Sequence, residues 1–364
     1  MPDLTRSAHE ETFMRRALAL AHEGWGETAP NPMVGAVVVR DGAVVGEGFH
    51  ERYGDAHAEV NALRAAGDRA RGATLYVTLE PCRHVGKTPP CTDAILAAGV
   101  ARVVIASMDP TSNAGGGAAL LREAGVAVET GVLREGAEEL NASFFHAAAH
   151  DTPWTTLKLA VSAEAAISDA RGSTTHLTGE ESRAEVHRLR AGHDAIAVGV
   201  GTILADDPML TVRGVRTPRV PLRRVIFDRS LRTPLDAIVV RTAAETPTII
   251  VTRTASSKRA PPLRDRGVEL ITASDLPGAF RALRSHGIRS LLVEGGARIA
   301  TAVLEAGLAH RLIIFQAPVL LGPRGLHAFD GATAASLAEL ERYRVLDRRQ
   351  FGADIMTIYA VSER

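Results

Sequence analysis

The sequence predicts an α/β protein of two domains, each built from a sheet layered with helices. Its 364 residues exceed one ordinary core and suit two domains of roughly 100–200 residues each. The composition, 46% apolar and 23% charged residues, is typical of a globular protein. Both halves alternate β-type runs with helical patterns, which favours layered α/β architecture over an all-α or all-β fold.

The N-terminal half supplies the first alternation. Phe13, Ala17, Leu18 and Ala21 recur at helical spacing, and Asp41-Gly42 between two β-type runs is a strong hairpin signal. Asp151-Thr152-Pro153 ends the pattern, because a residue before proline disfavours helical backbone. The predicted domains are therefore 1–150 and 151–364. The predicted elements of the first are helices at 11–22, 57–66, 92–98, 118–124 and 135–149 and strands at 34–40, 43–48, 74–79, 102–106 and 126–129.

The second half begins a new alternation, which predicts a largely buried, partly parallel sheet. Its predicted strands are 154–161, 195–198, 224–227, 248–251, 269–271, 290–293 and 311–317, and its predicted helices are 180–191 and 297–306.

Charge and composition narrow the class of ligand and the compartment. The formal net charge is zero and aromatic residues make up only 4%, so neither a basic groove nor stacking rings favour nucleic acid. A free small molecule is the expected substrate. The N-terminus lacks the apolar stretch of a signal peptide, and no window approaches the roughly 18 apolar residues needed to span a bilayer. We expect a cytoplasmic protein without a membrane partner.

One constellation predicts a catalytic zinc site. His57-Ala58-Glu59 opens a predicted helix, Pro81-Cys82 follows a predicted strand, and Cys91 opens the next helix. One imidazole and two thiolates supply three ligands and leave the fourth position open for water, whose pKa zinc lowers. Glu59 can take the proton of that water and pass it to a departing amine. Zinc base deaminases use this division of labour, with a His-x-Glu and a Pro-Cys-x-x-Cys element.

The spacing of the two cysteines leaves alternatives open. Eight residues separate Cys82 from Cys91, rather than two, and the longer loop places His84 and Lys87 near the metal. A structural zinc site, two buried thiols beside an unrelated histidine, or His84 as a replacement ligand are the other interpretations.

Longer motifs extend the pattern over nearly the whole chain, in the order APNPMVGAVVV, GEGFHERYGDAHAEVNAL, YVTLEPCRHVGKTPPC and ILADDPMLTVR. With them the chain resembles the bifunctional deaminase–reductase family of riboflavin biosynthesis. The resemblance implies a cytidine-deaminase-like three-layer α/β/α domain, followed by a dihydrofolate-reductase-like α/β domain. It implies Zn²⁺-dependent hydrolytic deamination of a diaminopyrimidinone ribosylamino 5′-phosphate, then NADPH-dependent reduction of the ribosyl chain to a ribityl chain. It also implies a homo-oligomer formed through the reductase half.

In the deaminase domain, the resemblance implies that Asn31, His50, His84 and Lys87 contact the substrate. Asn31 offers a donor and an acceptor together, and Lys87 offers a cation for the phosphate. Lys87 is one of only three lysines in the chain. The alternatives are a turn at Asn31-Pro32, a strand end at His50 and a solvated charge at Lys87.

In the C-terminal half, the residues alone indicate only possible phosphate sites after strands, at Gly199-Val200-Gly201 and Glu294-Gly295-Gly296. Ordinary tight turns are the alternative. The resemblance assigns NADPH contacts to Ala160, Thr202, Gly296, Ala297, Arg298, Ile299, Ala300, Thr301 and Ala302. His176 lies near the expected cofactor site, and Arg229 is a candidate neighbour for the extra phosphate of NADPH. The resemblance assigns substrate contacts to Thr174, Arg190, Asp206, Leu210, Arg213 and Glu294, with Arg190 and Arg213 able to bind phosphate bidentately. Lys158, on a predicted strand that points toward this site, is a further candidate, with a structural strand lysine as the alternative.

The chain departs from the family at two places in this half. The family usually has Ser-Leu-Asp-Gly where this chain has Ser162-Ala163-Glu164-Ala165, and often has tryptophan where this chain has His176. A second hypothesis follows, in which the C-terminal domain no longer reduces and serves in binding or dimerisation. A nucleic-acid-editing deaminase is a third hypothesis, against which neutral charge and scarce aromatic residues argue.

Overall fold

The computed structural model describes residues 4–169, 176–254, 256–329 and 343–360. The chain divides into two compact units, Met1–Ala149 and His150–Arg364. Each unit has its own main sheet and its own apolar cores.

The first unit is a five-stranded sheet covered by helices on both faces. Its described strands are β1 (Gly35–Arg40), β2 (Ala43–Phe49), β3 (Thr74–Leu79), β4 (Arg102–Ser107) and β5 (Ala127–Thr130). Its described helices are α1 (Leu4–His22), α2 (Ala58–Ala66), α3 (Cys91–Ala98), α4 (Gly117–Glu123), α5 (Arg134–Leu140) and α6 (Ala142–Ala149), with a 3₁₀ turn at Gly67–Ala70.

The order of the sheet is β2-β1-β3-β4-β5. β1 is antiparallel to β2 and β3, whereas β3, β4 and β5 are parallel. The predicted hairpin is present, and Asp41 and Gly42 both have positive φ, as a type I′ turn requires. Because β3 and β4 are parallel neighbours, the loops that follow them lie at the same edge of the sheet.

Side chains of β1 alternate between two apolar cores. Ala36 and Val38 pack with α2, α3 and α4 on one face, while Val37 and Val39 pack with α1 and α5 on the other. This is the predicted α/β/α layering. α2 lies unusually close to β2, since a Cβ on Gly46 would be 2.4 Å from the Ala62 carbonyl oxygen. The helix that begins after His57 is thereby fixed on the sheet.

The predicted single helix at 135–149 is wrong. The structure has two helices, α5 and α6, separated at Asn141, whose φ of −111° lies outside the helical range. The Asn141 side chain accepts a hydrogen bond from the Met33 N–H and donates one to the Met33 carbonyl, each at 2.8 Å. This contact joins distant parts of the sequence, so local periodicity cannot reveal it. α1 begins earlier than predicted, at Leu4, and the other elements agree to within about one residue.

The second unit contains a nine-stranded sheet. The described strands of this unit, including the two of a separate small sheet, are β6 (Trp154–Val161), β7 (Ala166–Ser168), β8 (Ala195–Gly199), β9 (Arg223–Phe227), β10 (Thr248–Thr252), β11 (Glu269–Thr272), β12 (Ser290–Glu294), β13 (Arg311–Gln316), β14 (Leu326–His327), β15 (Arg344–Phe351) and β16 (Asp354–Ala360). Its described helices are α7 (Glu180–Ala191), α8 (Val200–Asp206), α9 (Ile238–Arg241), α10 (Ala260–Arg264), α11 (Leu276–Ser285) and α12 (Ala297–Glu305).

The order of this sheet is β11-β10-β9-β8-β12-β6-β13-β16-β15, and β7 pairs separately with β14. The strands from β11 to β13 are parallel, and β16 and β15 add an antiparallel edge. The seven predicted strands are present to within about one residue. The elements β7, β14, β15, β16 and α8 to α11 are additional to those predicted. A signal did exist for α11, where Asp275 accepts a hydrogen bond from Gly278 N at 2.7 Å as N-cap.

No helix in the described ranges combines the length and the apolar character that crossing a bilayer requires.

A buried arginine stabilises the β9–β10 region. Arg224 is 1% exposed, and burial lowers its pKa to about 10. Its guanidinium donates to two threonine hydroxyls and four carbonyls, which are Thr248 Oγ1, Thr242 Oγ1, and the oxygens of Met209, Val239, Thr242 and Thr246. The side chain therefore satisfies acceptors that the protein has removed from water.

We expect Arg224→Met to lower the free energy of unfolding by at least about 3 kcal/mol, because it leaves several buried acceptors without donors. The neighbouring Arg223→Met is the matched control, since Arg223 donates one exposed bond, to the His286 carbonyl. Urea unfolding and hydrogen exchange in β9 and β10 measure the difference. Equal effects of the two substitutions would contradict the structural role of Arg224.

Candidate active site

The predicted metal ligands meet in the first unit. His57 directly precedes α2, Cys82 lies in the loop after β3, and Cys91 is the first residue of α3. Their ligand atoms lie within 4.8 Å of one another. Among the His, Cys, Asp and Glu side chains that the structure describes, these three form the group that could hold a metal ion. Both cysteines are buried and unbridged.

The distances suit a tetrahedral metal ion. His57 Nδ1 lies 3.2 Å from Cys91 Sγ and 3.5 Å from Cys82 Sγ. Zinc with ordinary bond lengths places a nitrogen and a sulfur ligand about 3.6 Å apart. Three ligands from the protein leave one tetrahedral position for water or substrate, which is the pattern of catalytic zinc.

The charges of the two thiols also indicate a cation. Hydrogen bonds from Cys91 and from His57 outweigh burial and lower the pKa of Cys82 to about 4. The interaction with Cys82, together with burial, raises the pKa of Cys91. The protein alone therefore stabilises one thiolate, and a second thiolate beside it needs a positive ion between the sulfurs. The donor set fits zinc.

Glu59 lies on the first turn of α2, two residues beyond His57. Its side chain is 3% exposed, and burial is the main cause that raises its pKa. It lines the cavity with His57 and Cys82. A carboxyl whose proton affinity is raised in this way can both accept and release a proton during a reaction.

A cavity of about 560 Å³ opens at these residues, and Asn31, His50, His84 and Lys87 all line it. His50 Nδ1 lies 3.2 Å from the Ala56 carbonyl, which can only accept, so Nδ1 carries the proton. His50 Nε2 then accepts from Asn31 Nδ2 at 3.2 Å. Burial lowers the pKa of His50. The histidine is neutral and adds no positive charge beside the ligands.

Sequence reasoning missed several residues of the cavity wall. The Lys87 ammonium lies 4.3 Å from the centroid of the Tyr53 ring, and both residues line the cavity. Asp109, Thr111 and Asn113 follow β4 and form another part of the wall. The parallel pairing of β3 and β4 was the signal that could have placed this loop beside Cys82.

Glu80 fixes the loop after β4 to the cysteine segment. It is 4% exposed and accepts backbone hydrogen bonds from Asp109, Gly116 and Ala118, at 3.2, 3.0 and 2.9 Å. Arg83 Nε donates to the Gly115 carbonyl at 2.6 Å. The residues on both sides of Pro81-Cys82 therefore hold one wall of the cavity.

In the second unit, the predicted residues gather at one edge of the sheet. β8, β12, β6 and β13 are adjacent and parallel, so their carboxyl ends lie together. Lys158 and Ala160 lie on β6, Thr202 follows β8, and Glu294 ends β12. In open α/β sheets this edge is where ligands bind.

Three charged groups form the centre of that edge. The Arg190 guanidinium donates two hydrogen bonds to the Glu294 carboxylate, at 2.7 and 2.9 Å. It donates a third to the Thr211 carbonyl at 2.9 Å. Burial opposes ionisation of Glu294, but Arg190 and Lys158 outweigh it and lower the pKa of Glu294 to about 2. Burial lowers the pKa of Lys158, and Glu294 opposes that shift. Glu294 therefore occupies the two Arg190 nitrogens, Nε and Nη2, that could otherwise bind a phosphate bidentately.

The glycine turn before α12 is suited to a phosphate. Gly295 and Gly296 both have positive φ, and a Cβ on Gly296 would lie 3.4 Å from Thr202 Oγ1. The N–H groups of the first turn of α12 have no partner within the helix, which favours an anion there. Ala300, by contrast, already donates its N–H to the Gly296 carbonyl. Of the predicted run 296–302, the first turn is therefore the part that can bind a cofactor phosphate.

The remaining predicted contacts have different surroundings. The side chain of Leu210 is 4% exposed and packs in an apolar core, and its φ is +50°. Four other residues are exposed, namely Asp206, Arg213, His176 and Arg229. The backbone N–H of Arg213 donates a hydrogen bond to His187 Nδ1 at 3.1 Å. Thr174 lies outside the described residues.

Comparisons with known proteins match both units. The family model "Cytidine and deoxycytidylate deaminase zinc-binding region" matches residues 7–107, and "RibD C-terminal domain" matches residues 153–356. The riboflavin biosynthesis protein RibD of Aquifex aeolicus is 42% identical over 353 residues, covering 96% of this chain and 98% of the relative. The Escherichia coli RibD is 40% identical over 364 residues, covering 95% and 98%.

The chain belongs to the RibD family. The solved RibD of Acinetobacter baumannii has a TM-score of 0.85 at 36% identity, covering 97% of this chain and 99% of that one. A Thermotoga maritima structure described as a deaminase/reductase has a TM-score of 0.84 at 34% identity, covering 98% and 99%. The chain is a bifunctional riboflavin-biosynthesis enzyme with a zinc-binding deaminase region and an NADPH-using reductase region, as the sequence predicts. Both predicted folds are confirmed.

The departure from the usual RibD pattern after β6 leaves an intact turn. Ser162 N donates to the Ala166 carbonyl at 2.8 Å, and Ala165 takes a φ of +65°, a conformation that normally favours glycine. Glu164 Oε1 accepts hydrogen bonds from the Leu321 and Gly322 N–H groups. Glu164 thus joins the loops that follow β6 and β13, at the edge where Lys158 and Glu294 meet.

We expect Cys91→Ser to lose the metal and to loosen the packing around α3, because one of three ligands from the protein disappears. Zinc content measured on the purified protein checks the first effect, and hydrogen exchange in α2 and α3 checks the second. Thr88→Ser, in the same loop, is a control expected to retain the metal. A Cys91→Ser protein with wild-type zinc content would refute the ligand assignment.

Proposed function

We propose that the first unit removes the ring amine of a diaminopyrimidinone ribosylamino 5′-phosphate by hydrolysis, and that the second reduces the ribosyl chain of the product. The domains responsible are 1–150 and 151–364. The observation that carries the proposal is the cluster of His57, Cys82 and Cys91, of which His57 and Cys82 line a cavity together with the buried Glu59.

Zinc, when bound by these ligands, acts as a Lewis acid that makes water lose a proton near neutral pH. Glu59 is placed to accept a proton from the water that attacks the carbon bearing the amine. Glu59 then returns the proton to the departing nitrogen, so that one water is consumed and one ammonia released. Its burial keeps bulk water from competing for the proton.

The other cavity residues orient the substrate. Asn31 and the neutral His50, already hydrogen-bonded to each other, present amide and imidazole groups to the ring or the ribose. His84 and Lys87 lie on the exposed loop of the cavity, where Lys87 offers three N–H donors to the 5′-phosphate.

In the second unit, NADPH, when bound, supplies the hydride that reduces the opened ribosylamine. The first turn of α12 and Thr202 bind its phosphates, with Ala160, His176 and Arg229 as further contacts. Lys158, Arg190 and Glu294 orient the substrate, together with Thr174, Asp206, Leu210 and Arg213. The Glu294 carboxylate holds Arg190 through two hydrogen bonds and lies beside Lys158, so these three side chains are fixed next to one another at the centre of the edge.

A second candidate function, an inert C-terminal domain used for binding or dimerisation, rests on the absence of the Leu-Asp-Gly segment. The turn after β6 and the Glu164 contacts argue against it, because the substituted residues still hold the site edge together. We further propose that the enzyme acts in the cytoplasm as a homo-oligomer formed through its reductase half. Family resemblance supports that assembly.

Glu59→Gln should lower ammonia release from the diaminopyrimidinone substrate by at least about a hundredfold, because an amide cannot carry the proton. Zinc content and NADPH oxidation with the deaminated intermediate should stay at the wild-type level. Normal deamination by this variant would show that another group carries the proton.

Glu294→Gln should lower kcat/KM for NADPH oxidation by at least about tenfold, because the amide replaces one of the two oxygens that accept from Arg190 by an N–H donor and removes the negative charge beside Lys158. Ammonia release should not change. Glu185→Gln is the matched control, since Glu185 is also a buried carboxylate, 8% exposed, that pairs through two oxygens with an arginine, Arg188 of the same helix. A wild-type enzyme that oxidises no NADPH with the intermediate would favour the inert-domain hypothesis.

A further inference from the structure

The cation–π contact between Lys87 and Tyr53 lies at the wall of the cavity, which both residues line. The Lys87 ammonium is 4.3 Å from the ring centroid, within the range of a favourable contact. Lys87 is exposed and forms no ion pair with any described residue. The aromatic face is therefore the partner that restrains this side chain.

We propose that Tyr53 is a positioning residue that selects phosphorylated substrates, by holding the Lys87 ammonium where the substrate phosphate arrives. The inference rests on the proposed deaminase function and extends it to a residue outside the zinc site. Tyr53 acts through Lys87.

A ring is better suited to this task than a carboxylate. An acidic partner would occupy the N–H donors of Lys87 and repel an incoming phosphate. The face of an aromatic ring attracts the charge and leaves those donors free. It also restricts a flexible four-carbon side chain before binding, which reduces the entropy that the phosphate contact must offset.

The turn that carries Tyr53 and Gly54 is held in place by backbone hydrogen bonds. Tyr53 N donates to the Glu27 carbonyl at 3.2 Å, and Asp55 N donates to the Arg52 carbonyl at 3.0 Å. Arg52 forms an ion pair with Glu27, whose side chain is 3% exposed. Gly54 has a φ of +96°, and a Cβ there would lie 3.6 Å from Lys87 Cδ. In this turn the Tyr53 ring therefore contacts the ammonium group of Lys87, and Gly54 leaves room for its aliphatic side chain.

The proposal predicts a change in substrate affinity specific to the phosphate. In the zinc-loaded full chain, Tyr53→Leu should raise KM for the phosphorylated substrate about two- to fivefold and leave kcat unchanged, since an exposed cation–π contact is worth that much. Tyr53→Phe retains the ring and should restore the wild-type KM. Lys87→Met should raise KM by about tenfold or more, because it removes the charged donor.

A double substitution and a second substrate make the test specific. With Lys87→Met already present, Tyr53→Leu should cause no additional rise in KM. With the dephosphorylated ribosylaminopyrimidine, Tyr53→Leu should have no effect. Val85→Ala, at a 79% exposed position of the same loop, is the control. Zinc content and NADPH oxidation report whether each variant is folded.

Three outcomes would overturn the proposal: an unchanged KM in Tyr53→Leu, an equal KM increase in the presence of Lys87→Met, or an equal increase for the dephosphorylated substrate. The last two would mean that Tyr53 contacts the ring or the ribose directly. A zinc-loaded wild-type enzyme that releases no ammonia would instead overturn the deaminase function, and the role of Tyr53 with it.

Discussion

Three ligand atoms from separate segments must meet around one small volume, and the first unit is arranged to satisfy that constraint. His57 is presented at the start of α2, which β2 glycines allow to lie directly against the sheet. Cys82 and Cys91 come from the loop after β3 and the start of α3. Two buried sulfurs so close together cannot both carry negative charge without a cation, so the metal completes the electrostatics of the site.

In the second unit, a buried negative charge is compensated by other side chains of the protein. Glu294 is buried at the end of β12, where an isolated carboxylate would be costly. Arg190 pairs with it through two nitrogens, and Lys158 on the adjacent strand adds a second positive charge. The result is a buried carboxylate whose charge is compensated within the protein, chiefly by Arg190.

Local patterns predicted the parts of the molecule that local physics determines. The hairpin at Asp41-Gly42, the five strands of the first sheet, the seven parallel strands of the second and the three zinc ligands follow from turn chemistry, periodicity and the residue types that bind metal. The antiparallel edge strands β15 and β16 did not. Contacts between distant segments were beyond those patterns. Asn141 interrupts a helical run because it binds the backbone of Met33, and Tyr53 lies beside Lys87 because two loops converge. Most reductase contacts came from family resemblance, since Leu210 and Arg190 look unremarkable in sequence.

The central claim is that one imidazole and two sulfurs bind zinc and leave one position open. Zinc-edge X-ray absorption on the purified enzyme tests it most directly. The account predicts one zinc per chain with two sulfur neighbours at about 2.3 Å, a single imidazole and one further light atom from solvent. A second imidazole in the coordination shell, as His84 would provide, or the absence of bound zinc would contradict it.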